Sequence, residues 1–259
     1  MDIETDAALK DKVSIITGAS GGIGLACAKL LFSKKSKVVL VDINQDKLGS
    51  AIAELENLGI SDNLLSLQLN VCNEADMTQM VSQALDRFGR IDNLVACAGI
   101  LRLGGTLKTV LETPLEEWQK VIQTNLTGTF LSNRAVLPTM IEQKQGDIIN
   151  ISSTSGRQGR AFDAAYCASK FGIIGLSESL AEEVSSFGVR VQTILPDAVD
   201  TGFWDQNGPR SVRPPYALPP ERVAECILHL LTLPRDTFLL NPVISPFRSR
   251  KKRAKGKGD

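Results

Sequence analysis

The chain runs to 259 residues, 43% of them hydrophobic, and its 29 basic and 29 acidic side chains leave no net charge at neutral pH. That length suits one large α/β domain around a single core, and a mean hydropathy of +0.01 suits a globule in water. No apolar run approaches the about 18–20 residues of a membrane helix, and the acidic opening Met1-Asp2-Ile3-Glu4-Thr5-Asp6 lacks the basic and apolar regions of a secretory signal, so the cytoplasm is the expected location.

Residues 1–9 are expected to be a flexible lead-in and 10–247 a single domain. Val13–Thr17 is a short apolar, β-rich run that reads as a buried strand. The run Thr17-Gly18-Ala19-Ser20-Gly21-Gly22-Ile23-Gly24 follows it, and Ile23, Cys27, Leu30 and Leu31 then recur at helical spacing. Strand, glycine turn and helix in that order are the context a dinucleotide site needs. The glycines let the backbone approach a pyrophosphate, and the helix N-terminus offers it unpaired N–H groups and a partial positive charge.

The second strand, Lys37–Val41, ends in Asp42, eighteen residues past the last glycine. A carboxylate there can accept hydrogen bonds from both ribose hydroxyls of NAD and would repel the extra phosphate of NADP. The competing role for Asp42 is to cap the helix that starts near Gln45; the glycine turn upstream favours the ribose. Gly59 should close that helix, and Gly89 the next. Leu64–Leu69 and Asn93–Ala96 read as the third and fourth strands, with Asp147–Ile151 the fifth and Val189–Leu195 the sixth. A weaker seventh covers Leu239–Ile244. The longest helices are predicted around Pro114–Glu142, broken near Asn125 to Gly128, and Asp163–Phe187. This alternation predicts a doubly wound, mostly parallel, Rossmann-like sheet of about seven strands with helices on both faces.

Gly202 to Pro220 carries five prolines in nineteen residues without a clear period. Such a long irregular connection, at the carboxyl end of the sheet, reads as a substrate loop. His229, the single histidine, sits in an amphipathic helix far from the other motifs and reads as structural or partly exposed. The five cysteines, Cys27, Cys72, Cys97, Cys167 and Cys226, are scattered, with no Cys-x-x-Cys pair or histidine cluster, so neither zinc nor a disulfide framework is expected. From Arg248 onward there are seven bases and one acid, which leaves 22 bases and 28 acids in the body, a charge of about −6. The tail, 248–259, is expected to be disordered and solvated, without nucleic-acid or membrane contact.

The most telling pair is Tyr166 and Lys170 in Ala164-Ala165-Tyr166-Cys167-Ala168-Ser169-Lys170. Four residues on a helix put two side chains on one face. A phenol beside an ammonium is suited to move a proton on and off an alcohol. Free tyrosine titrates near ~10, and lowering it towards ~7 takes roughly 4 kcal/mol, much of which a neighbouring cation can supply.

With these motifs together, the chain resembles the short-chain dehydrogenase/reductase family from about Lys10 to about Leu233. Its glycine pattern is Thr-Gly-x-x-x-Gly-x-Gly, as in that family. The resemblance implies four catalytic positions: Asn125 in Thr124-Asn125-Leu126-Thr127-Gly128, Ser153 in Ile149-Asn150-Ile151-Ser152-Ser153, Tyr166 and Lys170. In those roles Tyr166 is the general acid or base, and Lys170 lowers its pKa and holds the nicotinamide ribose. Ser153 hydrogen-bonds the reacting oxygen, and Asn125 holds a water that links Lys170 to solvent. The cofactor contacts implied are Gly18, Ser20, Gly22, Ile23, Gly24, Asp42, Asn70, Val71, Ala98, Gly99 and Thr201, with Tyr166 and Lys170 themselves.

The chain also departs from the family. Ala96-Cys97-Ala98-Gly99 stands where Asn-Asn-Ala-Gly is usual, so amides that tie neighbouring strands are lost. Asn70 replaces an aspartate that commonly meets adenine, though its amide oxygen can accept the same bond. Pro196-Asp197 replaces Pro-Gly, which costs backbone freedom if φ is positive there, and a carboxylate near the nicotinamide would favour its oxidised form. Asn241-Pro242-Val243-Ile244-Ser245-Pro246-Phe247 replaces a glycine pair near the C-terminus. A homo-oligomer, dimer or tetramer, through the two long helices is implied all the same.

The expected activity is hydride transfer between NAD(H) and a secondary alcohol or ketone, with no metal. Phe162, Phe203 and Trp204 are candidate apolar walls for the small-molecule substrate, and Arg157, Arg160, Arg210 and Arg213 lie in loops that should face it. The alternative is NADPH-dependent reduction of 3-oxoacyl carriers; Asp42 and the lack of a base in the glycine turn argue against it. A non-catalytic nucleotide-binding sensor would be expected to have lost at least one of the four groups at Asn125, Ser153, Tyr166 and Lys170, and all are present.

Overall fold

The computed structural model describes residues 8–58, 61–208 and 214–247. Gly59, Arg210, Arg213, most of the lead-in and the basic tail lie outside the described residues. Seven strands form one sheet: β1 Val13–Thr17, β2 Lys37–Asp42, β3 Leu64–Gln68, β4 Asn93–Ala96, β5 Gly146–Ile151, β6 Val189–Pro196 and β7 Val243–Ile244. Their spatial order is β3-β2-β1-β4-β5-β6-β7, and every neighbouring pair is parallel. Parallel strands need crossovers, and seven helices supply them: α1 Gly22–Ser33, α2 Gln45–Glu56, α3 Glu74–Phe88, α4 Leu115–Ile122, α5 Gly128–Glu142, α6 Ala164–Val184 and α7 Pro220–Thr232. None of the described helices is long and apolar enough to cross a membrane.

Both faces of the sheet are covered, which is why a central strand such as β2 carries the unbroken apolar run Val38–Val41. Ile16, Val38 and Leu40 point into one core with α1, α2 and α7. Their neighbours Ile15, Val39 and Val41 point into the other, with α3, α5 and α6. The chain builds outward from β1 to β3, then crosses back to β4 and continues the other way. A crevice therefore opens at the carboxyl ends of β1 and β4, where such folds hold ligands.

Two expected elements differ in detail. The helix around Pro114–Glu142 is not interrupted near Asn125; α4 and α5 are joined by a π-helical turn over Gln123–Thr127, with helical dihedrals at both of its ends. The extra residue turns Asn125 inward, and Thr129 Oγ1 donates to the Asn125 carbonyl at 2.7 Å, satisfying the displaced group. β7 is shorter than Leu239–Ile244, because Asn241 takes φ 48° and Pro242 has no N–H to pair. The Pro242 and Ile244 carbonyls still accept from Leu195 and Asp197 on the β6 side, at 2.9 Å each.

Candidate active site

A cleft of about 1260 Å³ lies over the carboxyl ends of the strands. The glycine turn forms one end of it. Gly18 has φ +66°, and a Cβ there would meet the Ala98 backbone nitrogen at 2.7 Å. A Cβ on Gly24 would lie 2.1 Å from the Gly18 carbonyl oxygen, so turn and helix touch backbone to backbone. Gly22, at φ +54°, faces the Thr201 side chain, whose Oγ1 accepts from Phe203 N at 3.3 Å. Gly21 precedes α1 without any side-chain cap, so the first N–H groups of the helix stay open to an anion. A phosphate-bearing cofactor fits this cradle, because any larger side chain would fill it.

Asp42 closes the same end. Its Oδ2 accepts from Ser20 N at 3.2 Å and Ser20 Oγ at 2.7 Å, and its Oδ1 accepts from Asn44 N at 3.0 Å. The α2 cap is Asn44, whose side chain accepts from Lys47 N, so the capping role weighed for Asp42 falls to its neighbour. Ser20 thereby ties the glycine turn to the end of β2. Asn70 and Val71 border the adjacent wall. The Asn70 amide oxygen already accepts from Cys72 N at 3.0 Å, which leaves it one lone pair for another donor. Val71 packs on Gly128, where a Cβ would approach it to 2.8 Å.

The other end gathers Ser153, Tyr166 and Lys170. Ser153, just past β5, caps a single 3₁₀ turn, its Oγ accepting from Ser155 N at 3.1 Å. The same hydroxyl faces the Tyr166 phenol and favours its ionised form. Lys170 Nζ donates to the Ile151 carbonyl at 2.8 Å and lies 5.6 Å from the centre of the Tyr166 ring. The Phe203 ring covers Tyr166 from the substrate loop at 5.8 Å.

Burial changes the expected electrostatics. Desolvation pushes the phenol of Tyr166 well above its ordinary value, and the Ser153 hydrogen bond only partly opposes this. The same desolvation pushes Lys170 down to about 8, against a smaller upward pull from Cys97. In the protein by itself, therefore, burial dominates and holds the phenol above its ordinary value.

Asn125 is fully buried, and its amide is committed to neighbours. Oδ1 accepts from Ile100 N at 2.8 Å, while Nδ2 donates to Ile100 O at 2.8 Å and Ser169 Oγ at 3.0 Å. It clamps the loop after β4 to α6, close to Lys170, and both of its amide hydrogens are spent on that clamp.

The family model for short chain dehydrogenase matches residues 12–211. The chain belongs to the short chain dehydrogenase family. A 3-oxoacyl-[acyl-carrier-protein] reductase of Synechocystis is 37% identical over 236 residues, covering 90% of this chain and 94% of that one. An NAD⁺-bound xylitol dehydrogenase superposes with a TM-score of 0.82 at 27% identity, covering 92% of this chain and 99% of that one. An actinorhodin polyketide ketoreductase with NADPH gives 0.80 at 28% identity, covering 91% and 96%.

Within this dehydrogenase the departures from the family pattern have local solutions. The tie between β1 and β4 is made by Asn93 Nδ2 donating to Ser14 Oγ at 2.9 Å, and by Thr17 Oγ1 accepting from Ala98 N at 3.3 Å. Asp197 has no positive φ, so aspartate carries no left-handed strain there, and it accepts from Thr154 Oγ1 at 3.3 Å.

The stretch Gly202–Asn207 of the substrate loop is helical rather than irregular, pinned by Trp204 Nε1 donating to Val199 O at 2.7 Å. Phe162, Phe203, Trp204 and Arg160 border the cleft, whereas Arg157 donates to the Asn241 carbonyl at 3.0 Å. His229 is exposed on α7, and no cluster of potential metal ligands occurs among the described residues.

Several contributors had no sequence signal. Gln206 Oε1 accepts from Leu101 N at 2.7 Å and so joins the substrate loop to the loop after β4. Ser152 Oγ donates to the Lys170 carbonyl at 2.8 Å. Neither serine nor glutamine is distinctive at such positions, and both contacts join segments far apart in the chain.

Replacing Asn125 by Ala strands the Ile100 N–H and carbonyl and the Ser169 hydroxyl in a dry site. The expected cost is about 2–3 kcal/mol of stability, to be read from urea unfolding. A change under about 0.5 kcal/mol would mean that water replaces the amide without loss.

Proposed function

We propose that this dehydrogenase transfers hydride between NAD(H) and a secondary alcohol or ketone, with Tyr166 as general acid/base. One observation carries the reading: Ser153, Tyr166 and Lys170 meet in the same cleft as the glycine cradle and Asp42. The cofactor, when bound, supplies the hydride chemistry. The residues supply the rest. Ser153 can donate to the reacting oxygen, on which charge develops, while Tyr166 gives or takes its proton within hydrogen-bond reach. Lys170, pinned at the Ile151 carbonyl, keeps a cation beside the ring. Phe203 and the substrate loop keep water from the phenol.

Asp42 supports NAD over NADP. Its two oxygens are organised by Ser20 and Asn44 at the end of β2, where a ribose phosphate would meet like charge. A specific observation favours the second reading, NADPH-dependent 3-oxoacyl reduction: the Synechocystis reductase is the relative at 37% identity, and Lys47 borders the cleft three residues past the Asp42 loop contact at Asn44, with its cation available to a phosphate.

A panel of secondary alcohols and ketones with each nucleotide tests both readings. Tyr166→Phe should lower kcat by about 10²-fold or more; activity equal to the parent would remove Tyr166 as the acid/base. Asp42→Ala should raise kcat/KM for NADP relative to NAD, and an unchanged ratio would dismiss the ribose contact. The pH profile has a definite sign. Ketone reduction uses protonated Tyr166, which burial keeps protonated, together with cationic Lys170, which loses its proton near about 8. Reduction should therefore hold below that pH and decline as pH rises through it. A profile still rising well above it would contradict this assignment.

A further inference from the structure

Arg102 lies in the loop after β4, and its side chain is only 7% exposed. Nη2 donates to Asp163 Oδ1, while Nε and Nη1 are buried without a hydrogen-bond partner among the described residues. Burying a guanidinium so incompletely paired is costly, and an apolar side chain would fill the space at less expense. Stability alone does not account for it.

The partner makes sense of the position. Asp163 stands immediately before α6, one turn ahead of Tyr166, yet its carboxylate does not cap the helix. Only its backbone carbonyl takes part, accepting from Cys167 N at 2.8 Å. The carboxylate is thus a half-buried negative charge near the phenol, and it favours retention of the phenol's proton. Arg102 is held where it can oppose that charge. Leu101 N and Arg102 N both donate to Gln206 Oε1, at 2.7 and 3.4 Å, and Ile100 is clamped by Asn125.

Other groups also face Tyr166. From α6 come Lys170 and Cys167, and Arg160 acts on Asp163 from just before the helix. The loop after β5 brings Ser153, the end of β4 brings Cys97 beside Lys170, and the end of β6 brings Asp197 to the cleft wall. The substrate loop contributes the uncharged Phe203 ring.

We propose that Arg102 is a positioning residue for proton transfer: paired with Asp163, it neutralises the carboxylate at the start of α6 and frees the Tyr166 phenol to release its proton. Arg102 touches neither substrate nor cofactor in this role and acts through Asp163. The inference rests on Tyr166 being the acid/base, but its effect on the phenol is measurable without turnover.

The chain has two tyrosines, so Tyr216→Phe leaves Tyr166 as the single phenol. In that background the near-ultraviolet absorbance of tyrosinate, followed against pH in the full chain, reports Tyr166 directly. Asp163→Asn should lower the midpoint by about one pH unit and Arg102→Gln should raise it by about as much. The double variant R102Q/D163N should return close to the parent, and Arg102→Lys should keep the parent value. Circular dichroism identifies any variant that has lost its fold, and the Lys and double variants then carry the comparison. Shifts of the same sign in the two single variants, or no shift in either, would overturn the proposal. A parent that turns over no alcohol or ketone while these shifts hold would instead sink the acid/base reading and leave the charge pair standing.

Discussion

A parallel sheet sheathed by helices on both faces leaves room for a ligand only beyond the ends of its strands. That constraint organises the molecule. Ile15 and Ile16 are both fully buried, on opposite faces, and the same holds for Val39 and Leu40. The chemistry is therefore displaced to the carboxyl ends, where reversal of strand order between β1 and β4 parts the crossovers. Gly18 and Ala98 meet across this parting at backbone distance, and Asp42, Asn70, Val71, Ala98 and Gly99 all stand within a few residues of a strand end.

The same burial that builds the cleft sets the problem its residues must solve. A phenol and an ammonium drawn out of water both lean towards their neutral forms. Tyr166 is pushed up and Lys170 down, so proximity alone does not produce an acidic tyrosine. What the protein contributes is a set of fixed charges and dipoles: the Ser153 hydroxyl, the Ile151 carbonyl under Lys170, and the Asn125 clamp that keeps both walls in register. Any bound positive charge would act on this dry arrangement far more strongly than in water.

The π-helical turn shows how local geometry serves that arrangement. An α-helix running straight from Leu115 to Glu142 would carry Asn125 past the loop after β4. One inserted residue rotates it inward, and Thr129 takes up the displaced carbonyl. The sequence signalled an irregularity there through Asn125 and Gly128, but a break and a π turn look alike in a pattern of residues. Likewise Asp42 was recognisable as a carboxylate beside the glycine turn, while excluding its role as the helix cap needed the position of Asn44.

Periodicity and glycine placement were enough to read seven strands and the crossovers, because these depend on interactions between residues close in the chain, and the short-chain dehydrogenase pattern was legible as a resemblance of motifs. Spacing likewise put Tyr166 and Lys170 on one helical face. Tertiary structure alone decided the rest: that Asn125 spends its amide on Ile100, that Gln206 bridges two loops about a hundred residues apart, and that Arg102 meets Asp163. It also decided the balance between desolvation and charge at Tyr166. These outcomes rest on how deeply each group is buried and which distant backbone it meets, and neither quantity is written in any short stretch of residues.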